Sequence, residues 1–231
     1  MAVTVNVRDV IKRKKELGNL PKKISKGVQY ALSDVKKSAP GWIASEVVKV
    51  YNIKKSEITP SSTNRNRRLA GGTKVRVSGD TISSLQIKYV GKPLTPTHFG
   101  MRPKTPPKPL KKKMLVPADR LKLKQKKGKG KASRWAYVPM PKKYFVTLEI
   151  LRGQPKIFKG DYDTPPFLAS GGSGYLPFQR TGRTTKPFLH VAHTISVPQM
   201  VSSDRTEDNI QKRIAELTYN KVEQRVSSQI K

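Results

Sequence analysis

Between Phe188 and Val197, apolar and polar residues change places at nearly every step. Leu189, Val191, His193, Ile195 and Val197 share one parity, and Phe188, His190, Ala192, Thr194 and Ser196 share the other. A period of two predicts a strand half-buried against a core. Upstream, Arg180-Thr-Gly-Arg183 predicts a basic turn, because Gly182 accepts the positive φ that a tight reversal often needs. Downstream, Val197-Pro-Gln-Met-Val201 is expected to end the strand, since Pro198 has no N–H for a ladder.

The N-terminal part follows a different period. Val3, Val5 and Val7 alternate, whereas Arg8 to Leu17 turns helical in pattern, so residues 4–17 are ambiguous. From Lys22 to Lys37, Ile24, Val28, Ala31, Leu32 and Val35 fall at i, i+4, i+7, i+8 and i+11. This spacing predicts an amphipathic helix with lysines on its outer face. Pro21 sits near its start and Pro40-Gly41 is expected to stop it. A second, shorter helix with Ile43, Val47 and Val48 should then end near Tyr51. Two helices are thus expected before any convincing strand.

Strand patterns follow a loop-like, basic stretch at residues 60–72. Thr73–Val77 and Ile82–Val90 alternate on either side of Ser78-Gly-Asp80, which predicts a β-hairpin. Pro93 to Pro103 fits neither period and should be an ordered connection anchored by Phe99 and Met101. Tyr144–Leu151 reads as a strand turned by Arg152-Gly-Gln-Pro155, with Lys156–Phe158 pairing back. Phe167-Leu168 and Tyr175–Phe178 flank a turn at Ser170–Gly174. The last segment is helical, with Ile210, Ile214, Leu217, Val222, Val226 and Ile230 as its stripe. Ser202, Ser203 and Asp204 are its candidate N-caps, and Glu207 and Asp208 suit the positive end of its dipole.

Helices, many strands and a closing helix predict an α+β fold with a mostly antiparallel sheet or partly closed barrel. One domain is expected. A helical region at 1–60 packs on a β-rich core at 61–201, and 202–231 forms the C-terminal helix. A lysine-rich insertion, a long basic hairpin or loop, interrupts the core at about 106–141.

Charge changes the picture most. The 231 residues carry 48 Lys and Arg against 15 Asp and Glu, a formal net charge of +33. Self-repulsion on this scale calls for a polyanion or acidic neighbouring surfaces. Between Lys108 and Lys131 there are eleven Lys or Arg and one Asp. Gln125 to Lys131 buries too little apolar surface to offset its ordering entropy, so a mobile basic tip is expected between arms at Lys112–Val116 and Trp135–Met140. No apolar run reaches the ~18 residues of a membrane span, and the N-terminus lacks the apolar block of a signal peptide. These patterns predict a soluble chain made in the cytoplasm, with no membrane partner.

Candidate chemistry is sparse. With no cysteine, disulfides, thiol nucleophiles and cysteine-ligated metals are excluded. Of the three histidines, His190 and His193 are three apart, so on a strand they would face opposite ways; no metal or catalytic role is expected. Gly71-Gly-Thr-Lys74 and Gly128-Lys-Gly-Lys131 lack the phosphate-loop spacing, and Ser173 does not sit in G-x-S-x-G. The clearest carboxylate cluster (Glu207, Asp208, Glu216, Glu223) is explained by capping and solvation of the last helix. No enzyme, catalytic residue or cofactor is expected.

The candidate contacts are basic. Arg65, Arg67 and Arg68, Lys111, Lys112, Lys113, Lys122, Lys124, Lys126, Lys127, Lys129 and Lys131, and Arg180 and Arg183 could meet phosphates or an acidic partner. Trp135 and Tyr137 could stack bases, although strand packing is the simpler reading. No helix-turn-helix, RNA-recognition or zinc-finger pattern is present, so any DNA contact should be sequence-independent and salt-sensitive.

Phe178-Gln-Arg-Thr-Gly182, a short basic linker, the proline-led Pro187-Phe-Leu and the closing Ser196-Val-Pro-Gln-Met200 together resemble the C-terminal signature of the minor tail protein Z family of tailed bacteriophages. Val28–Ile58 is similar to the N-terminal helical region of that family, Leu94-Thr-Pro-Thr-His-Phe99 with Arg102-Pro103 to its linker after the first strands, and Phe145–Gly153 with the segment around Phe167 to its later strands; the lysine-rich insertion departs from it. The resemblance implies a tail completion protein at the head-proximal end of the tail. Such a protein forms a ring, hexameric by the symmetry of tail tubes, around the DNA channel. It would meet tail terminator, tail tube and neck proteins in the virion, with non-specific contact to viral DNA. The alternative from another class is a ribosomal-type RNA-binding protein whose basic loop enters folded RNA.

Overall fold

The longest helical stripe becomes α1, Lys22–Val50, in a computed structural model that describes residues 2–6, 22–60, 68–110, 113–117, 135–139, 142–171, 174–181 and 188–230. The predicted helical pattern at 8–17, residues 61–67 of the expected loop, the lysine-rich tip and residues 182–183 of the expected basic turn lie outside the described residues, whereas Arg180 and Thr181 of that turn belong to a strand. Pro40 does not stop α1 but sits inside it. The reason is register: Ala31, Val35, Ala39, Ile43 and Val47 follow one another at i+4 on both sides of Pro40, and all are fully buried. A proline inside a helix costs roughly 3 kcal/mol. Burying Ile43 and Val47 on the same face returns about 1.5–3 kcal/mol each, so the helix continues. The two predicted helices are one.

A strand also precedes the helix. The alternating valines form β1, Ala2–Asn6, which pairs antiparallel with β3, Gln86–Val90; β3 in turn pairs with β2, Lys74–Ser78. Val3 and Val75 both stand opposite Tyr89, and Val5 and Val77 both stand opposite Ile87. The central strand alternates as predicted, with Ile87 and Tyr89 fully buried and Gln86, Lys88 and Val90 exposed.

The main core lies between that sheet and the helices. Leu32, Val35, Ile43 and Val47 of α1 meet Leu85, Ile87, Tyr89, Leu94 and Phe99 in one cluster. Phe99 and Met101 are buried anchors of the proline-rich connection, as the sequence implied. A short α2, Lys55–Ile58, adds Ile58. A smaller cluster of Met101, Val146, Leu148 and Leu168 holds the later strands.

Those strands are shorter and more separate than a single sheet or barrel. The arms of the insertion form an antiparallel pair as expected, β4 at Lys113–Pro117 and β5 at Trp135–Pro139. The expected strand at Tyr144–Leu151 shrinks to β6, Thr147–Leu148, paired with β7, Lys156–Ile157. Strands β8 (Phe167–Ser170), β9 (Tyr175–Thr181) and β10 (Phe188–Val191) form a sheet in the order β10-β9-β8. Among the described residues there are two three-stranded and two two-stranded antiparallel sheets, and none closes into a barrel. The class is α+β, with an N-terminal helix, small sheets and a C-terminal helix.

The alternation at Phe188–Val197 misleads in two ways. The strand ends at Val191, and Val197–Val201 is not a strand terminus but a helical turn, α3. Ser196 and Gln199 form a capping box: the Ser196 Oγ accepts from the Gln199 N–H, and the Gln199 Oε1 accepts from the Ser196 N–H at 2.8 Å. Pro198 falls in the first turn, where its missing N–H costs nothing. Nor is the strand half-buried, since Phe188 and Leu189 are 81% and 58% exposed.

Helix α4, Glu207–Ile230, closes the chain. Its first turn carries Glu207 and Asp208, and Ile210 and Ile214 are buried as predicted. The third buried position is Thr218 rather than Leu217. The helix lies along α1, where Arg225 grips Asp34 at 2.6 and 2.7 Å.

Candidate functional site

Three of the basic candidates fall on described residues. Arg68 is exposed just before the 3-10 turn at Ala70–Gly72. Lys113 opens β4 opposite Pro139. Arg180 is exposed near the end of β9, with its guanidinium carbon 5.4 Å from the centroid of the Phe167 ring, a stacking that holds the charge outward. Arg65, Arg67, Lys111, Lys112, Lys122, Lys124, Lys126, Lys127, Lys129, Lys131 and Arg183 lie outside the described residues.

A basic cleft unforeseen from the sequence opens at the end of α1. It has a volume of about 820 Å³ and is lined in part by Lys54, Lys55, Lys104 and Arg152. All four are exposed. Its lining includes one acid, Glu57, whose Oε2 lies 2.7 Å from the Nδ1 of His98. Four cations around a paired carboxylate favour an anionic occupant such as phosphate oxygens or an acidic side chain. No local run in the sequence announces this cluster, because its cations come from three separate segments. The backbone gathers them: the Asn52 N–H donates to the Ile150 carbonyl at 2.9 Å, and the Arg152 N–H to the Val50 carbonyl at 2.9 Å.

Comparisons of the chain with family models, curated proteins and solved structures find no match.

The second feature is apolar. Phe145 is 68% exposed and Ile157 60%, and with Tyr162 they line a cleft of about 510 Å³. Phe188 and Leu189 lie exposed on β10. Scattered apolar side chains are ordinary on a surface, but aromatic residues are enriched where subunits meet.

The histidines need a correction. His190 and His193 do not face opposite ways; their ring centroids are 5.5 Å apart. The two-residue period fails because β10 stops at Val191, so His193 sits on non-strand backbone that turns it back towards His190. Asp161 joins them: its Oδ2 is 3.7 Å from the His190 Nε2 and accepts from the His193 N–H at 3.2 Å.

Buried Gln179 organises the loop that carries Asp161. Its Oε1 accepts from the N–H groups of Asp161 and Tyr162 at 2.7 and 3.3 Å. Its Nε2 donates to the carbonyls of Lys159, Tyr162 and Thr164 at 2.8, 2.9 and 2.6 Å. One fully buried amide thus replaces the sheet partners that residues 159–164 lack.

Proposed function

We propose that this chain is a structural subunit of a tailed-phage virion: a tail completion protein at the head-proximal end of the tail, where it forms a ring, hexameric by tail symmetry, around the DNA channel and helps to join the tail to the neck and head. It acts through contacts and not through catalysis. What carries this proposal is the coexistence of large exposed apolar side chains, Phe145 just before β6, Ile157 on β7 and Phe188 and Leu189 on β10, with a net charge of +33. The first suits a neighbouring copy of the same chain, and the second suits DNA in the channel and acidic neighbours. The phage assignment itself is supported by the residues that resemble the minor tail protein Z family, from Phe178 to Met200 above all.

Electron microscopy of assembled particles with the protein labelled tests the proposal. Label at the junction of tail and neck, in a ring, is the expected result. A monodisperse monomer absent from virions overturns it. Co-sedimentation with ribosomes in place of virions would favour the RNA-binding alternative.

A further inference from the structure

We propose that Asp161, His190 and His193 form a binding site for a divalent transition-metal ion of the zinc class. Each residue offers one ligand atom, and these atoms all lie within 4.8 Å of one another. Tetrahedral zinc, with bonds of about 2.0–2.1 Å, spaces its ligands roughly 3.3 Å apart. The His190 Nε2 and Asp161 Oδ2 stand 3.7 Å apart, too far for a hydrogen bond yet close to the spacing of two ligands on one ion. Small side-chain rotations bring the third ligand in.

The donor set selects the metal. Two imidazoles and a carboxylate suit zinc and its first-row neighbours, whereas magnesium and calcium demand oxygen. The His190 and Asp161 side chains are 41% and 42% exposed, which leaves a fourth position open to water or an outside ligand.

The surroundings fix the ligands in advance. The backbone N–H of His193 holds the Asp161 carboxylate, Tyr162 stands edge-on to His190 with ring centroids 5.4 Å apart, and Gln179 ties the 159–164 loop to β9. This is the supporting shell that metal sites need to orient their ligands. A bound ion would clip that loop to the segment leading into α3.

The test uses the full chain, freed of metal with chelator and titrated with zinc and, for its visible spectrum, cobalt(II). One equivalent should bind, with a tetrahedral cobalt absorption, and magnesium should not compete. Asp161→Asn, His190→Gln and His193→Gln should each weaken binding about tenfold or more. His98→Gln, at the other histidine–carboxylate pair, should leave it unchanged. Far-UV circular dichroism must show each variant folded; X-ray absorption on the wild-type chain, expected to give two nitrogen ligands and one carboxylate, is a readout independent of the variants. Absence of saturable uptake, uptake indifferent to all three substitutions, or a shell without imidazole would overturn the site.

Discussion

Gly27 of α1 and Val226 of α4 stand backbone to backbone: a β-carbon on Gly27 would lie 3.1 Å from the Val226 Cα and 3.1 Å from the Arg225 carbonyl oxygen. The first helix and the last therefore approach as closely as they do because position 27 has no side chain. Alanine there should be nearly neutral, since its helix propensity gains about 1 kcal/mol over glycine and the crowding takes that back. Leucine has no such balance. Gly27→Leu should lower the unfolding free energy by roughly 1–3 kcal/mol in urea titrations, as overpacking does. A stabilised leucine variant would mean that the helices do not meet there.

Gln179 should matter more than any exposed residue of its sheet. Gln179→Ala leaves two part-buried N–H groups and three carbonyls without this partner, at an expected cost of roughly 1–3 kcal/mol. Hydrogen exchange gives the sharper readout: the amides of Asp161 and Tyr162 should lose protection before those of β3. Gly160→Ala approaches the same loop from the other side. Gly160 has a φ of +75°, and a β-carbon there would overlap the Gln179 side chain, so this variant should reproduce the local loss.

The contrast between these two sites explains what the sequence could announce. Helix α1, the β2–β3 hairpin and the early half of α4 each carry a period that one buried face enforces, and each is legible; the β4–β5 arms are legible from the basic stretch between them. Pro40 predicts a stop by a local rule, and a longer-range register that only the folded core makes visible overrides it. Ser196–Gln199 shows the reverse: the capping-box spacing was present, but the alternation before it drew the strand too far. The cluster of Asp161, His190 and His193 was hidden for a plain reason. Residues 29 and 32 positions apart come together only after a loop is tied down by an amide elsewhere. The cations of the basic cleft are dispersed in the same way.

Tyr89 makes a prediction about alkaline pH. It is fully buried in the central strand, and among the described residues its hydroxyl has no hydrogen-bond partner. Burial pushes the phenol well above its usual range, so the folded chain keeps a proton that the unfolded chain releases above about pH 10. Stability tied to this group is complete below that pH and falls above it, by about 1.4 kcal/mol per pH unit, until the folded phenol itself ionises. Tyr89→Phe should therefore be neutral or slightly stabilising at pH 7, since it removes an unpaired buried hydroxyl. Between pH 10 and 11.5 its advantage over the wild type should widen. Parallel urea curves across that range would refute the assignment.

The last prediction decides which basic surface meets a polyanion. Each phosphate contact made by a lysine or arginine releases counterions, so log K falls against log salt with a slope of about 0.9 per contact on duplex DNA. If the insertion makes the contacts, replacing Lys122, Lys124, Lys126 and Lys127 with glutamine should flatten that slope by up to four such units and leave the melting temperature unchanged. If the cleft makes them, glutamine at Lys54, Lys55, Lys104 and Arg152 should do so instead, because those four cations surround one opening with a single paired acid. Fluorescence anisotropy with a short random duplex at several salt concentrations separates the two. A slope that neither set changes would remove DNA from both surfaces and leave acidic neighbouring subunits as their partner. Global unfolding of the insertion variant would show that those lysines belong to the packed fold and not to a contact surface.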